Sequence, residues 1–194
     1  MNDTPNPLVT LLQADVLDGL ATMGAESVHC IVTSPPYWGL RSYSGEQKRI
    51  WDAPVEGAQP WRGALGQEPA VELYIAHLMQ AMAALWRVLR PDGACWINLN
   101  DTRQSGSHTG DDAGPKQATN VGSAKVQRKG GLRPKDMALV PERFILAAQA
   151  QGWYVRSKCV WALPNPMPES VGDRPSDAYQ MLYLLTKGEH YWWD

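Results

Sequence analysis

The chain has 194 residues and a formal net charge of −2, with 44% hydrophobic and 20% charged residues, which is typical of a soluble globular domain. No apolar run approaches the roughly 18 residues that a membrane span needs, and the opening MNDTPNP lacks the basic start and apolar centre of a secretory signal, so we expect a cytoplasmic protein. The histidines and cysteines are scattered without a CxxC pair, which argues against a metal site and a disulfide framework and predicts buried thiols at Cys30, Cys95 and Cys159.

Strand and helix patterns alternate along the chain. Short apolar or β-branched runs predict strands over residues 9–14, 28–33, 94–99, 153–161, 180–186 and 191–193. Helical spacing of apolar residues predicts a short helix after Asp15, a long helix over residues 72–89 and a third helix from Pro141 to Gln151. Strands separated by helices indicate an α/β fold with a mostly parallel sheet, and the short turn at Gly188 predicts an antiparallel hairpin at the carboxyl end.

A long polar segment interrupts this alternation between Arg103 and Lys135. It holds seven basic residues against two acidic ones and few large apolar residues, which predicts a flexible basic loop at about residues 102–135. Such a loop suits a phosphate backbone, and a solvated loop with no partner fits the composition about equally well. The candidate phosphate contacts are Lys116, Lys125, Arg128, Lys129 and Arg133.

The sequence IVTSPPYWGL, residues 31–40, places two prolines directly after the second predicted strand. Proline donates no hydrogen bond to a sheet, so the strand must end by Ser34, at the edge where ligands bind in open α/β sheets. Consecutive prolines restrict the backbone and hold the carbonyl groups of Ser34 and Pro35 in a stiff loop as preorganised acceptors. The rings of Tyr37 and Trp38 follow at once and offer flat faces on which a planar heterocycle can stack.

Ser34-Pro35-Pro36-Tyr37 after an apolar strand resembles the catalytic motif of the amino-group DNA methyltransferases, which methylate the exocyclic nitrogen of cytosine or adenine. Further segments resemble later blocks of that family's permuted group, in which the catalytic half precedes the cofactor half. In chain order they are WRVLRPDG at 86–93, NLND at 98–101, GWYVR at 152–156, WALPNPMPES at 161–170, DRP at 173–175 and LTK at 185–187. The resemblance covers roughly residues 9–194.

The chain departs from the family pattern in two respects. Leu163 stands where a lysine is common, and Gln180 stands where a glutamate is common. More importantly, the sequence contains no Gly-x-Gly turn of the type that holds the methionine end of S-adenosylmethionine. The resemblance therefore implies a Rossmann-like S-adenosylmethionine-dependent methyltransferase sheet that is incomplete at its cofactor half, forming one partial catalytic domain over residues 1–194.

The resemblance also implies a chemistry for the proline motif. An exocyclic amine is a poor nucleophile because its lone pair is delocalised into the ring. Accepting its hydrogens on the Ser34 side chain and the Pro35 carbonyl localises that lone pair, and no covalent enzyme intermediate is needed. A base must leave the duplex to reach such a loop, and Tyr37 is the first candidate for the ring that stacks on it, with Trp38 the second.

The resemblance assigns roles to three more residues. It also implies that Ser34 contacts the cofactor as well as the target base. Asp15 corresponds to an acidic position near the cofactor's adenine, and a helix N-cap is an equally good interpretation. Trp161 and Asn165 match the block beside the target pocket, although Trp161 also suits a core position. Serine at the start of the motif favours cytosine over adenine, since adenine enzymes more often have aspartate or asparagine there.

The leading prediction is therefore a site-specific DNA methyltransferase that transfers a methyl group from S-adenosylmethionine to cytosine N4. The alternatives are transfer to adenine N6, transfer to RNA, and a non-catalytic DNA-binding remnant. The absent cofactor turn leaves three further alternatives, namely a fragment, a natural truncation, or a half-enzyme that needs a partner. That partner would be a second copy in a homodimer or a complementary cofactor-half subunit.

Overall fold

The computed structural model describes residues 9–39, 48–53, 59–104, 132–166 and 172–193. Within these ranges the elements are α1 (Val16–Ala21), β1 (Val28–Thr33), β2 (Arg49–Trp51), β3 (Trp61–Gly63), α2 (Val71–Val88), β4 (Leu89–Leu99), α3 (Val140–Ala150), β5 (Tyr154–Ala162) and β6 (Tyr179–Thr186). None of the described helices has both the length and the apolar composition to cross a membrane.

Four strands form one mixed sheet in the spatial order β1-β4-β6-β5. β1 and β4 are parallel, whereas β6 is antiparallel to both of its neighbours, β4 and β5. The predicted α/β class is confirmed. The sheet is mixed rather than mostly parallel, because parallel pairing among the described strands is confined to β1 and β4.

The predicted hairpin at the carboxyl end does not form. Residues 191–193 are not a strand, although the Trp192 N–H donates to the Asp92 carbonyl at 2.9 Å. A hairpin partner needs a free edge on the preceding strand, and β6 has none because β4 and β5 pair with its two sides. The antiparallel pair at this end of the chain is β5 with β6.

The predicted strand over residues 9–14 is also wrong. The segment is not a strand, and its apolar side chains Val9, Leu11 and Leu12 are exposed by 73%, 90% and 62%. Backbone groups of a strand need a neighbouring strand to pair with, and no described strand pairs with this segment. An apolar run alone therefore does not make a strand here.

Both long helices lie where the sequence predicts them. α2 begins and ends within one residue of the predicted bounds. α3 has Pro141 in its first turn, and Gly152 follows the helix with a φ of 106°, which favours glycine. The carboxylate of Asp101 accepts a hydrogen bond from Val140 N at 3.0 Å and satisfies a backbone donor at the start of α3.

The described helices pack on one face of the sheet. Alternate residues of β4, namely Cys95, Ile97 and Leu99, are fully buried in a core that also contains residues of α2 and α3. Side chains on the opposite face are less covered, and Val32 on β1 is 76% exposed. The sheet therefore has one buried face and one open face within the described part of the chain.

Two short strands were not predicted from the sequence. β2 and β3 pair antiparallel, with Trp51 opposite Trp61. Each strand has three residues, too few to show an alternating pattern.

The three cysteines are free and differ in their environments. Cys95 is buried, as predicted, and Cys159 is half-buried, whereas Cys30 is exposed. The prediction of a buried thiol is wrong for Cys30 because this residue lies on the open face of β1.

Thiol labelling tests this arrangement. Burial raises the pKa of the Cys95 thiol to about 12, so at pH 8 only about one molecule in ten thousand carries its reactive thiolate. We expect native protein treated with a thiol reagent to react fastest at Cys30, and the Cys30→Ser variant to lose this phase. In the unfolded protein all three thiols should react. Fast labelling of Cys95 in the native protein would contradict the structure.

Candidate active site

A cavity of about 530 Å³ opens where β1 ends. Ser34 follows the last residue of β1 and is exposed at the cavity wall. Because β4 is parallel to β1, it brings Asn98 to the same edge, and the antiparallel β6 begins there with Gln180 as its second residue. Trp161 of β5 is the register partner of Gln180 and completes this wall. The other lining residues are Val32, Thr33, Trp96 and Leu182.

The hydroxyl of Tyr37 connects the proline loop to two strands. It donates to Asn98 Oδ1 at 2.5 Å and lies 3.5 Å from Gln180 Oε1. The Asn98 Nδ2 group in turn donates to the Met181 carbonyl at 3.2 Å, which fixes the orientation of the amide. Asn98 therefore holds the Tyr37 hydroxyl between β4 and β6.

Side chains and turns outside the sheet hold the rest of the loop. The Tyr74 hydroxyl on α2 donates to the Pro36 carbonyl at 2.9 Å. Burial, with a contribution from nearby Glu68, raises the pKa of this hydroxyl well above its usual value, so the hydroxyl stays protonated as a donor. The Gly39 N–H donates to the Gly66 carbonyl at 2.7 Å. These contacts hold the loop in place, although its two prolines donate no ladder hydrogen bonds.

Trp38 and Trp161, both predicted to contact the substrate, lie in different environments. Trp38 is 1% exposed, and its Nε1 donates to the Glu68 carbonyl at 2.9 Å, so its prediction as a stacking surface is wrong. The ring is drawn into the core by this bond and by the adjacent contact between Gly39 and Gly66. Trp161 is 56% exposed and faces the cavity, so it is not a core residue.

Asp15 is the N-cap of α1. Its Oδ1 accepts from Leu17 N at 3.0 Å and forms an ion pair with Arg49. The N-cap interpretation is confirmed, and the predicted role near a cofactor's adenine stays a prediction. Asn165 is exposed three residues beyond the end of β5 and is not among the residues that line the cavity.

Most of the basic loop lies outside the described residues, including Lys116, Lys125, Arg128 and Lys129. Arg133 is described and its side chain is 84% exposed, but the guanidinium forms an ion pair with Asp136. To bind a phosphate, the Arg133 guanidinium must therefore give up its ion pair with Asp136.

The two ends of the basic loop are joined to each other. Gln104 N donates to the Asp136 carbonyl, and Lys135 N donates to the Gln104 carbonyl, each at 2.9 Å. Arg103 also binds Asp177 just before β6, which lowers the pKa of that carboxyl. The loop therefore leaves and re-enters the domain at one place, close to the start of β6.

The match to known proteins agrees with this geometry. A family model for DNA methylases that act on adenine N6 or cytosine N4 matches residues 28–194. The chain belongs to this family. It is 37% identical to the type II methyltransferase M.XycI from Xanthomonas campestris pv. cyanopsidis over 98% of this chain and 59% of the relative. It is 34% identical to the type II methyltransferase M.SmaI from Serratia marcescens over 95% of this chain and 58% of the relative.

Solved structures share the fold. The PvuII DNA methyltransferase, a cytosine-N4-specific enzyme, matches with a TM-score of 0.54 and 15% identity over 92% of this chain and 49% of its own. A protein of Thermus thermophilus solved with S-adenosyl-L-methionine matches with a TM-score of 0.54 and 17% identity, over 93% of this chain and 56% of its own. At these identities the likeness is one of fold. The chain spans 59% or less of the length of each protein compared here.

S-adenosylmethionine is the methyl donor of this methylase family. The described residues fit only part of a site for it. Ser34 lines the cavity at the end of β1, whereas the Asp15 carboxylate is already engaged by Leu17 and Arg49. The sequence also has no Gly-x-Gly turn for the methionine end. The described residues therefore fit the cofactor only in part.

A second cavity, of about 660 Å³, lies on the same open face at the other end of β1. It was not predicted from the sequence. Trp96 borders both cavities, and the exposed rings of Trp192 and Trp193 cover part of the second one. The remaining lining residues are His29, Cys30, Arg90, Asp92 and Ala94.

Sequence reasoning did not identify Asn98, Tyr74 or Glu68 as parts of the methylase site. Asn98 carried a usable signal, because it is a polar residue near the end of a buried strand parallel to β1. Tyr74 and Glu68 carried none, because their contacts join residues about 30 to 40 positions apart.

Charge removal in the basic loop tests its role in DNA binding. We expect replacement of Lys116, Lys125, Arg128 and Lys129 by glutamine to weaken DNA binding. The slope of log binding constant against log salt should fall by up to about 3.6, since each phosphate contact contributes about 0.9. Fluorescence anisotropy over a salt series measures this slope, with Arg90→Gln as the control. An unchanged slope would make the loop a solvated linker.

Proposed function

We propose that this chain forms the target-base half of a DNA amino-methyltransferase site, and that its substrate is the 4-amino group of a flipped cytosine. The observation that carries this proposal is the position of Ser34 at the end of β1, beside a cavity walled by Asn98, Gln180 and Trp161. All of the described lining residues are uncharged. A neutral, planar heterocycle with polar edges matches such a wall, and about 530 Å³ is within the usual range for small-molecule sites.

The loop residues act on the amine directly. Ser34 Oγ and the Pro35 carbonyl accept its two hydrogens and draw the nitrogen toward a tetrahedral geometry, which localises the lone pair. Ser34 Oγ stays a hydrogen-bond acceptor while the surplus proton leaves to water and the amine becomes secondary. When bound, S-adenosylmethionine supplies an electrophilic methyl group on a sulfonium. The chain contributes no nucleophile, because the attacking atom is the substrate's own nitrogen.

A rigid loop makes these acceptors effective. The Pro35 carbonyl is flanked by the Pro36 carbonyl, which Tyr74 holds, and by Tyr37, which Asn98 holds. Preorganised acceptors need no rearrangement when the charge on the amine changes. A misplacement of about 1 Å in such a loop can cost on the order of 100-fold in rate.

Trp161 is the proposed stacking surface on the sheet side of the cavity. Its indole is half exposed and has no described hydrogen-bond partner that would compete with a base. Tyr37 stays the predicted surface on the loop side, and its hydroxyl is bonded to Asn98 of the cavity wall.

Two features support cytosine over adenine. Serine at the first position of the motif resembles the cytosine enzymes more closely, as argued from the sequence. The amide of Gln180 also suits cytosine, because cytosine presents two adjacent acceptors, N3 and O2, beside its amine, whereas adenine presents N1 alone on that edge.

A second candidate is a half-enzyme that acts only with a complementary cofactor-binding polypeptide. It is favoured by the Asp15 carboxylate, which Leu17 and Arg49 already engage, so that the described residues offer few groups to a cofactor. Calorimetry with S-adenosylmethionine separates the two candidates. Binding by the purified chain supports a self-sufficient enzyme, and no binding supports the half-enzyme.

Mass spectrometry of nucleosides tests the reaction itself. We expect the purified chain, or the chain with its complementary half, to produce N4-methylcytosine in unmethylated DNA. Ser34→Ala should lower the yield at least 100-fold because the amine loses its side-chain acceptor. Ser176→Ala, at an exposed serine outside the cavity, is the matched control. Methylated adenine would keep the mechanism and overturn the cytosine assignment, and full activity of Ser34→Ala would overturn the site.

A paired substitution tests the stacking surface. We expect Trp161→Ala to lower methyl transfer by about 5- to 150-fold, since stacking of a base on an aromatic ring contributes about 1–3 kcal/mol. Trp161→Phe should retain most of the activity because it keeps a flat ring. Trp192→Ala is the control, since this residue is 70% exposed and lines the second cavity. Equal rates for Trp161→Ala and the unchanged chain would exclude Trp161 from base binding.

A further inference from the structure

Glu68 and His77 form a fully buried pair outside the cavity. Neither side chain has any exposed surface, and Glu68 Oε1 lies 3.0 Å from His77 Nδ1. The second oxygen, Oε2, accepts from the Gly66 N–H at 2.8 Å. A carboxylate only accepts hydrogen bonds, so each oxygen takes a separate N–H. Burial of a carboxylate is costly unless it is hydrogen-bonded in this way, which makes the geometry of the pair strict.

The orientation of His77 is set by two tryptophans. Its ring lies between Trp51 and Trp61, with centroid distances of 5.0 Å and 5.4 Å and interplanar angles of 17° and 21°. These rings come from the paired strands β2 and β3, and Trp51 Nε1 is itself bonded to the Gly63 carbonyl at 3.1 Å. The stack leaves the imidazole little freedom to turn, so Nδ1 stays directed at Glu68.

The turn that Glu68 holds is in contact with the proline loop. The Gly66 carbonyl accepts from Gly39 N, and the Glu68 carbonyl accepts from Trp38 Nε1. Gly66 has a φ of 92°, and a Cβ added there would lie 3.1 Å from the Tyr37 carbonyl oxygen. The turn therefore packs directly against the backbone of the loop and bonds to the two residues that follow Tyr37.

We propose that Glu68 is a positioning residue for methyl transfer. Its buried carboxylate, oriented by His77, fixes the Gly66 turn against the loop and thereby sets the position of the Pro35 carbonyl and the Tyr37 ring. This inference rests on the function proposed above. Glu68 touches neither the cavity nor the reacting atoms, so it acts only through the loop.

Removal of the carboxylate has a local consequence. Without Glu68, the Gly66 N–H and His77 Nδ1 lose their described partner in a buried region, and the turn shifts to recover hydrogen bonds. Tyr74 still holds the Pro36 carbonyl, so the start of the loop keeps one anchor while its end, at Gly39, loosens. Amide exchange at Gly39 is therefore a direct readout of the proposed role.

The variants Glu68→Ala, Glu68→Gln and Glu72→Ala separate positioning from general stability. Glutamine can restore both bonds, since its oxygen accepts from Gly66 N and its amide donates to His77 Nδ1 in the other tautomer. Glu72, in the first turn of α2, is 59% exposed and paired with Arg143, so its removal is the matched control.

Hydrogen exchange followed by NMR is the first measurement, and it needs no activity. We expect Glu68→Ala to accelerate exchange at Gly39 at least tenfold more than at the amides of β4 and β6. Glu68→Gln and Glu72→Ala should stay within about threefold of the unchanged chain. A uniform acceleration at all amides, an unchanged rate at Gly39, or exchange in Glu68→Gln as fast as in Glu68→Ala would overturn the proposal.

Single-turnover methylation is the second measurement. We expect Glu68→Ala to lower the methyl-transfer rate by about 10- to 100-fold, the scale of a loop misplaced by roughly 1 Å, with DNA affinity unchanged within about twofold. Loss of DNA affinity with an unchanged rate would contradict positioning. If the unchanged chain transfers no methyl group even together with its complementary half, the proposed function fails while the exchange experiment still decides the role of Glu68.

A second variant covers the case in which Glu68→Ala does not fold. His77→Phe keeps a flat ring between Trp51 and Trp61 but removes the Nδ1 donor to Glu68. We expect faster exchange at Gly39 in this variant too, and an unchanged rate there would overturn the proposal.

Discussion

The absence of an N–H on Pro35 and Pro36 is the constraint on which the site depends. β1 cannot continue past Thr33, so the chain leaves the sheet at the edge where β4 also ends and β6 begins. Three strand ends therefore place Ser34, Asn98 and Gln180 around one cavity. The same constraint frees the Ser34 and Pro35 carbonyls from the ladder, which leaves them available as acceptors.

A loop without ladder hydrogen bonds must be held by other groups. In this chain the holders are a tyrosine on α2, an asparagine on β4 and the turn around Gly66. Each comes from a different element, so the loop is fixed from the helix layer, the sheet and the segment before α2 at once. Buried polar networks of this kind cost free energy if any member is lost, and they specify one geometry when all members are satisfied. The acceptors at the proposed site are therefore rigid only when α2, β4 and the turn around Gly66 are all folded.

Local pattern predicted the elements whose signals are local. The bounds of β1 follow from a β-branched run and the prolines, and those of α2 follow from long apolar periodicity. Position in space was not predictable in this way. β6 lies between β4 and β5, and that placement removed the free edge that the expected hairpin at residues 191–193 required. The failure at residues 9–14 has the same origin, since a strand depends on a neighbour that the local sequence does not specify.

At the site, too, some residues were predictable from the sequence, whereas the environments of others depend on contacts in space. Resemblance selected Ser34 and Trp161, which the fold brings to one cavity. Tyr37 and Trp38 are adjacent aromatic residues that the sequence offers as first and second stacking candidates, yet Trp38 is buried and its indole donates to the Glu68 carbonyl. The burial of Trp38 depends on a contact about 30 residues away along the chain, and no pattern within the motif contains that information.

The open face of the sheet is the surface on which a further layer would pack in the half-enzyme alternative. Both cavities lie on this face, and Val32, Trp161, Trp192 and Trp193 expose apolar surface there. Apolar area of this kind is stabilised when another layer covers it. In the half-enzyme alternative, the covering polypeptide would also supply the donors for the methionine end of S-adenosylmethionine. The chemistry would then be divided along the sheet: this chain orients the amine from the end of β1, and the covering layer orients the methyl group toward it.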